Sequence, residues 1–156
     1  MITAFTDRFQ GPISALHNSI DTEDMIIQRK DRLVAYNLAV VLDDIEQGVT
    51  DIVRGCDLLP TTLAQLNLWS HFGAPQPRYG HTPLLVTAPG QKLSKQNHAP
   101  AVNNTHAKDN ILYCLNLLGI SLSDSVQKST LTNILEAATM AWREGIRFPK
   151  HEIIVP

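Results

Sequence analysis

The stretch Gly90-Gln91-Lys92-Leu93-Ser94-Lys95-Gln96 follows an apolar run, Thr82 to Val86, and a turn signal, Ala88-Pro89-Gly90. Glycine and proline free this segment from the regular periods on either side. Lys92 and Lys95, with the Ser94 hydroxyl between them, put two compact cations on flexible stems. That set suits a polyphosphate whose charge shifts during a reaction. Spacing alone also fits, and more often signals, a solvated turn carrying two lysines.

The segments before the loop set its place in a fold. Leu38, Val41, Leu42 and Ile45 recur at helical spacing within Tyr36 to Gln47, and Gly48 stands where a helix stop belongs. Asp51 to Arg54 reads as a short strand closing on Arg54-Gly55. Thr61 or Thr62 can cap a second helix through Phe72, with Leu63, Leu66 and Trp69 on one face and Gly73 after it. A connector with Pro75 and Pro77 leads past Tyr79 and His81 to an expected strand, Pro83 to Val86. Helix, strand, helix, strand, then a loop at the strand's carboxyl end is half of a doubly wound α/β sheet. In such sheets ligands sit outside the carboxyl ends of the strands, where Arg54 and the lysine loop both fall.

Toward the ends the signals thin out. Residues 1–24 are mixed and turn-prone, with Gly11-Pro12 and a polar cluster from His17 to Asp24. Met25 to Ile27 and Leu33-Val34, around polar Gln28 to Arg32, suggest a hairpin. After Asn97 to Asn104, helices are expected over Asn110 to Leu118 and Leu131 to Trp142.

Composition excludes several classes. The 156 residues are 44% hydrophobic and 18% charged, with 13 Lys+Arg against 15 Asp+Glu and a net charge of −2. No global basic field announces nucleic acid, so an RNA contact needs a local patch. No run approaches the roughly 18 apolar residues of a membrane span, and no signal-like pattern opens the chain, so a cytoplasmic protein is expected. Cys56 and Cys114 are expected to be small buried apolar residues in a reducing compartment. The six histidines form no ligand cluster. No metal site of the chain's own is therefore expected, a nucleotide-borne magnesium apart.

The phrases AYNLAVVLDDIEQGVTDIVRGCDLL (Ala35 to Leu59), PQPRYGHTPLL (Pro75 to Leu85) and GQKLSKQNHAPA (Gly90 to Ala101) resemble class I glutamyl-tRNA synthetases. KLSKQ is similar to that family's KMSKS loop, and the likeness runs from about Phe5 to Ala101, loosening in the tail. It implies the second half of a class I Rossmann-like nucleotide-binding fold with a helical C-terminal tail. The implied regions are 1–33, a remnant of the acceptor-binding or connecting region with its hairpin; 34–105, the second catalytic half; and 106–156, a helical subdomain. Members of the family condense glutamate with ATP, carried with Mg2+, and transfer glutamate to tRNA. Short members without the anticodon-binding region instead glutamylate the queuosine of tRNA(Asp). With 60 residues after Gln96, this chain fits them better.

By the same resemblance Lys95 holds the ATP phosphates as pyrophosphate departs, chemistry that gains mainly from positioning and charge. Lys92 supports it and Ser94 adjoins it. The edge of the strand Leu84 to Val86, at Leu85, offers backbone groups to adenine. Tyr36 and Arg54 match the family's glutamate contacts, a guanidinium fork meeting a carboxylate bidentately. Without the likeness, Tyr36 would read as a packed helix-start aromatic and Arg54 as a surface ion pair. Adjacent on a helix, Asp43 and Asp44 point about 100° apart, so one faces solvent and one pairs nearby. His81 reads as a satisfied structural histidine, His98 as a phosphate or RNA contact, and Trp69 and Trp142 as core.

The family's HIGH motif and its cysteine zinc site have no counterpart in these residues. The chain alone is therefore expected not to form glutamyl-adenylate at a useful rate. A half-sheet without its cover exposes an edge, so self-association is expected. The alternative reading is a non-catalytic nucleotide- or tRNA-binding module derived from such a synthetase.

Overall fold

The computed structural model describes residues 1–15, 25–94, 99, 101–143 and 151–155. The chain divides into two compact units, Met1–Pro83 and Leu84–Pro156.

The first unit opens with an antiparallel hairpin of β1 (Ala4–Asp7) and β2 (Gly11–Ser14), turning where Gly11 adopts a left-handed φ of 82°. The sequence reads here as turn only, because four-residue strands are too short to display a period. The hairpin expected around Gln28 to Arg32 is present as one antiparallel bridge, Gln28 to Val34. The Arg29 N–H donates to the Leu33 carbonyl at 2.8 Å within it.

Helix α1 (Tyr36–Glu46) buries Val41, and Gly48 ends it at a φ of 68°. Strand β3 (Asp51–Gly55) then passes through a tight turn, Cys56–Leu58, into α2 (Thr62–His71). Thr61 and Thr62 do not cap α2 as the sequence suggests. Both hydroxyls donate to the Leu58 carbonyl, at 2.9 and 3.1 Å, because the turn brings that oxygen within reach. Leu63, Leu66 and Trp69 are buried on α2, and Gly73 closes it at a φ of 65°.

Strand β4 (Arg78–Thr82) returns parallel to β3, with Ile52 opposite Tyr79 and Arg54 opposite His81. The sequence predicts this partner at Pro83 to Val86 instead. RYGHT looks polar, and what it buries is an aromatic ring, bare backbone and an imidazole rather than aliphatic chains. Pro83, with no N–H to give a ladder, follows the end of β4.

Ile13, Leu59 and Leu63 form the core of the unit, with Ile2, Phe5 and Ala15 against them. The Gln65 amide donates to Asn37 Oδ1 at 2.9 Å and ties α2 to α1. The Arg8 N–H donates to the Tyr79 carbonyl at 2.8 Å, bringing the β1–β2 hairpin to β4. Beside that bond the Phe9 ring lies over Gly80, so that a Cβ at Gly80 would stand 2.7 Å from the ring. Gly80→Ala is expected to cost about 1–3 kcal/mol by overpacking. A urea midpoint equal to wild type would show that the ring simply moves aside.

In the second unit β5 (Leu84–Ala88) is the central strand. The antiparallel β6 (Gln91–Lys92) lies on one side and the parallel β7 (Glu152–Ile154) on the other. Helices α3 (Ala107–Leu117), α4 (Asp124–Gln127) and α5 (Leu131–Arg143) enclose Leu115, Ile120, Ile134 and Ala138. The two longer helices match the sequence reading to within three residues. Strand β7 does not, since an isolated run as short as Glu152–Ile154 gives no signal until a partner strand is known. Cys56 is buried but Cys114 is exposed, beside Tyr113 on the outer side of α3, because Leu115 takes the inward position. Among the described residues no helix is long and apolar enough to cross a membrane.

Candidate functional site

Arg54 stands near the carboxyl end of β3, where parallel register sets it beside His81 of β4. Its Nε–H donates to His81 Nε2 at 3.0 Å. Its Nη2 donates to the Leu58 carbonyl at 3.2 Å and to Thr62 Oγ1 at 2.9 Å. The guanidinium carbon lies 4.9 Å from the Tyr79 ring centroid, a cation–π arrangement. Tyr79 in turn stacks on His81 with 10° between the ring planes. Strand alternation explains the pair: Tyr79 and His81 project to one face, and Gly80 to the other.

Asp7 and His81 are both almost wholly buried, at 1% and 0% exposure. Asp7 Oδ2 accepts from His81 Nδ1 at 2.6 Å. Its Oδ1 accepts the backbone N–H groups of Phe9, Gln10 and His81 at 2.9, 2.9 and 3.0 Å. Burial by itself would raise the Asp7 pKa. The bonds from the imidazole and the backbone outweigh it and hold the carboxyl below its ordinary 3.8. Cys56 donates weakly to the His81 carbonyl, and burial, with Asp7 and Asp57 nearby, pushes its thiol up to about 11.

Every hydrogen-bond partner of Arg54 is neutral, and among the described residues it makes no ion pair. Burial opposes its charge and lowers its pKa, while Tyr79, Tyr36, Asp44 and Asp57 act the other way through space. Guanidinium nevertheless stays protonated in proteins. A fixed, half-buried cation without a counter-ion is the arrangement of an anion site. The surface ion pair that Arg54 would otherwise suggest is absent here, because the residues around it are a ring, a hydroxyl and a carbonyl.

Tyr36 begins α1 at 60% exposure, so it is not a packed core aromatic. Asp44 lies two turns further along the same side of α1 and is half-buried, whereas Asp43 is exposed. Burial and Asp43 raise the Asp44 pKa against the pull of Arg54. Tyr36, Asp44 and Arg54 thus share one electrostatic neighbourhood.

Within the second unit, Lys92 is exposed on β6 and Ser94 is half-buried just beyond it. Leu85 lies in the central strand, not on an edge as the sequence suggests, because β6 and β7 flank β5. Its carbonyl already accepts the Leu93 N–H at 2.8 Å. Lys95 and His98 lie outside the described residues. His81 is the satisfied histidine expected, and Trp69 is core. Sequence reasoning misses Asp7, Thr62 and Tyr79, which come from three separate elements and share no spacing. The one available signal is Tyr79 and His81 recurring at strand period.

The family model for class I tRNA synthetases (E and Q), catalytic domain, matches residues 1–147. This chain belongs to that family. It is 44% identical over 141 residues to the glutamyl-Q tRNA(Asp) synthetase of Idiomarina loihiensis, covering 90% of this chain and 50% of that protein. It is also 44% identical over 142 residues to the Escherichia coli protein of that name, covering 91% of this chain and 46% of the other. The chain therefore spans about half the length of the curated relatives it matches. Among solved structures, the glutamate-tRNA synthetase of Elizabethkingia anophelis aligns at a TM-score of 0.50 and 26% identity, over 62% of this chain and 20% of that one. In this class I synthetase chain the α/β architecture and the family agree. The parallel β3–α2–β4 unit carries Arg54, and the strand that the sequence places at Pro83 to Val86 is instead β5 of the second unit.

Proposed function

We propose that this chain is part of the catalytic region of a ligase that activates glutamate with ATP and transfers it to the queuosine of tRNA(Asp). The observation that carries the reading is Arg54, a positioned guanidinium whose partners all leave its charge unneutralised. Such a fork suits a carboxylate, and Tyr36 at the exposed start of α1 supplies a hydroxyl for the same amino acid. Lys95, supported by Lys92 and Ser94, takes the ATP phosphates with their Mg2+. Leu85 is assigned to the adenine through its amide side. Residues 1–33 belong with the acceptor-binding or connecting region, 34–105 with the catalytic half, and 106–156 with a helical subdomain. A cytoplasmic location belongs to the same proposal.

The chain alone is expected to give no glutamate-dependent exchange of labelled pyrophosphate into ATP, since its residues hold no HIGH-type motif. Robust exchange by the isolated chain would overturn that division of labour. Self-association is expected as well. Among the described residues β3 pairs with β4 alone, and Val53 on it is 62% exposed. Light scattering that returns a monomer across the micromolar range would count against it.

A further inference from the structure

We propose that Asp7 and His81 are positioning residues that hold the Arg54 guanidinium for the glutamate carboxylate, through a neutral imidazole protonated at Nδ1. The proposal rests on the reading of Arg54 as a glutamate contact.

The proton's place follows from the donors and acceptors. An ionised carboxylate only accepts, so the 2.6 Å contact with Asp7 Oδ2 needs the proton on His81 Nδ1. Arg54 Nε–H only donates, so the 3.0 Å contact needs a lone pair on His81 Nε2. Both conditions hold only for the neutral Nδ1–H tautomer. Asp7 is in turn oriented by three backbone N–H groups on Oδ1, which leaves Oδ2 for the ring. The chain Asp7–His81–Arg54 thus runs from buried backbone to the guanidinium without a free rotor.

The groups facing the ring are Asp7 from β1, Arg54 from β3, Thr62 from α2, whose Oγ1 lies 3.2 Å from Nε2, and Tyr79 stacked beside it. Cys56 meets the His81 carbonyl rather than the ring. Asp44 and Asp57 act on Arg54 through space.

Asp7→Asn makes a sharp reversal. The three backbone N–H groups keep the amide oxygen at Oδ1, so the amide nitrogen takes the place of Oδ2. It then donates to His81 Nδ1, forces the proton to Nε2, and sets N–H against N–H at Arg54. His81→Gln should keep the arrangement, because an amide at that site accepts from Arg54 through its oxygen and donates to Asp7 through its nitrogen.

The test is nuclear magnetic resonance on the whole nitrogen-labelled chain, with L-glutamate as the probe. The expected wild-type spectrum shows an Nδ1–H imidazole at neutral pH and a scalar coupling across the Arg54 Nε–H···Nε2 bond. An Nε2–H or charged ring, or no coupling, overturns the proposal. Asp7→Asn should lose the coupling and weaken glutamate about 10- to 100-fold, with His81→Gln keeping most of the affinity. Arg54→Lys separates the two readings. If it leaves glutamate binding intact, the site assignment fails and this inference falls with it. If it abolishes binding while Asp7→Asn does not, the site stands and the inference alone is wrong. Should Asp7→Asn not fold, the wild-type tautomer and coupling decide.

Discussion

Asp7→Ala should remove roughly 3–5 kcal/mol of unfolding free energy from the unit Met1–Pro83, the largest stability loss expected of a single polar substitution there. The carboxylate is 1% exposed and accepts from Phe9 N, Gln10 N, His81 N and His81 Nδ1. Alanine leaves all of these donors facing a small void. Urea unfolding followed by far-ultraviolet circular dichroism measures the loss, and a change below about 1 kcal/mol would mean the donors find other partners. Acid gives the same contribution a sign. The Asp7 pKa is held below its ordinary 3.8, so its stabilisation is complete above that value. It fades as pH falls through the lowered folded value, and the wild-type and Asp7→Ala curves should converge only in that acid range.

Arg54→Met should weaken glutamate binding by about 3 kcal/mol, on the order of a hundredfold, while leaving stability within about 1 kcal/mol of wild type. The two halves of this expectation have one origin. Burial works against the Arg54 cation, and no ion pair among the described residues offsets it. Replacing it with an apolar chain of similar reach relieves that cost as the hydrogen bonds and the Tyr79 contact are lost. His81 Nε2 gains a donor in the Thr62 hydroxyl, 3.2 Å away, once that hydroxyl turns from the Leu58 carbonyl. Thermal melting and a glutamate titration on the same samples test both halves. Undiminished glutamate binding in the variant would remove Arg54 from the site altogether.

The sequence carries helix α1 with its glycine stop, the β3 strand and α2, because apolar residues at helical period and positive-φ glycines are local properties. It also carries the family, through three phrases whose order is unusual enough to recognise, and from them the assignments of Tyr36, Arg54 and Lys95. Strand β4 escapes it because Tyr79, Gly80 and His81 do not look like a buried strand until something polar is available to meet them. The β1–β2 hairpin escapes it because its value lies in Asp7, a residue with no motif of its own.

What these residues determine unaided is an α/β chain with a cation at the end of a strand. Only folding decides whether that cation is spoken for. The parallel register of β3 on β4 sets Arg54 against His81, and a one-residue slip would turn each side chain to the opposite face. Docking of the amino-terminal hairpin then puts Asp7 behind the imidazole, 74 residues away along the chain. Protonation and orientation depend on such contacts between distant residues, so they are set by the assembled unit and not by any stretch of sequence.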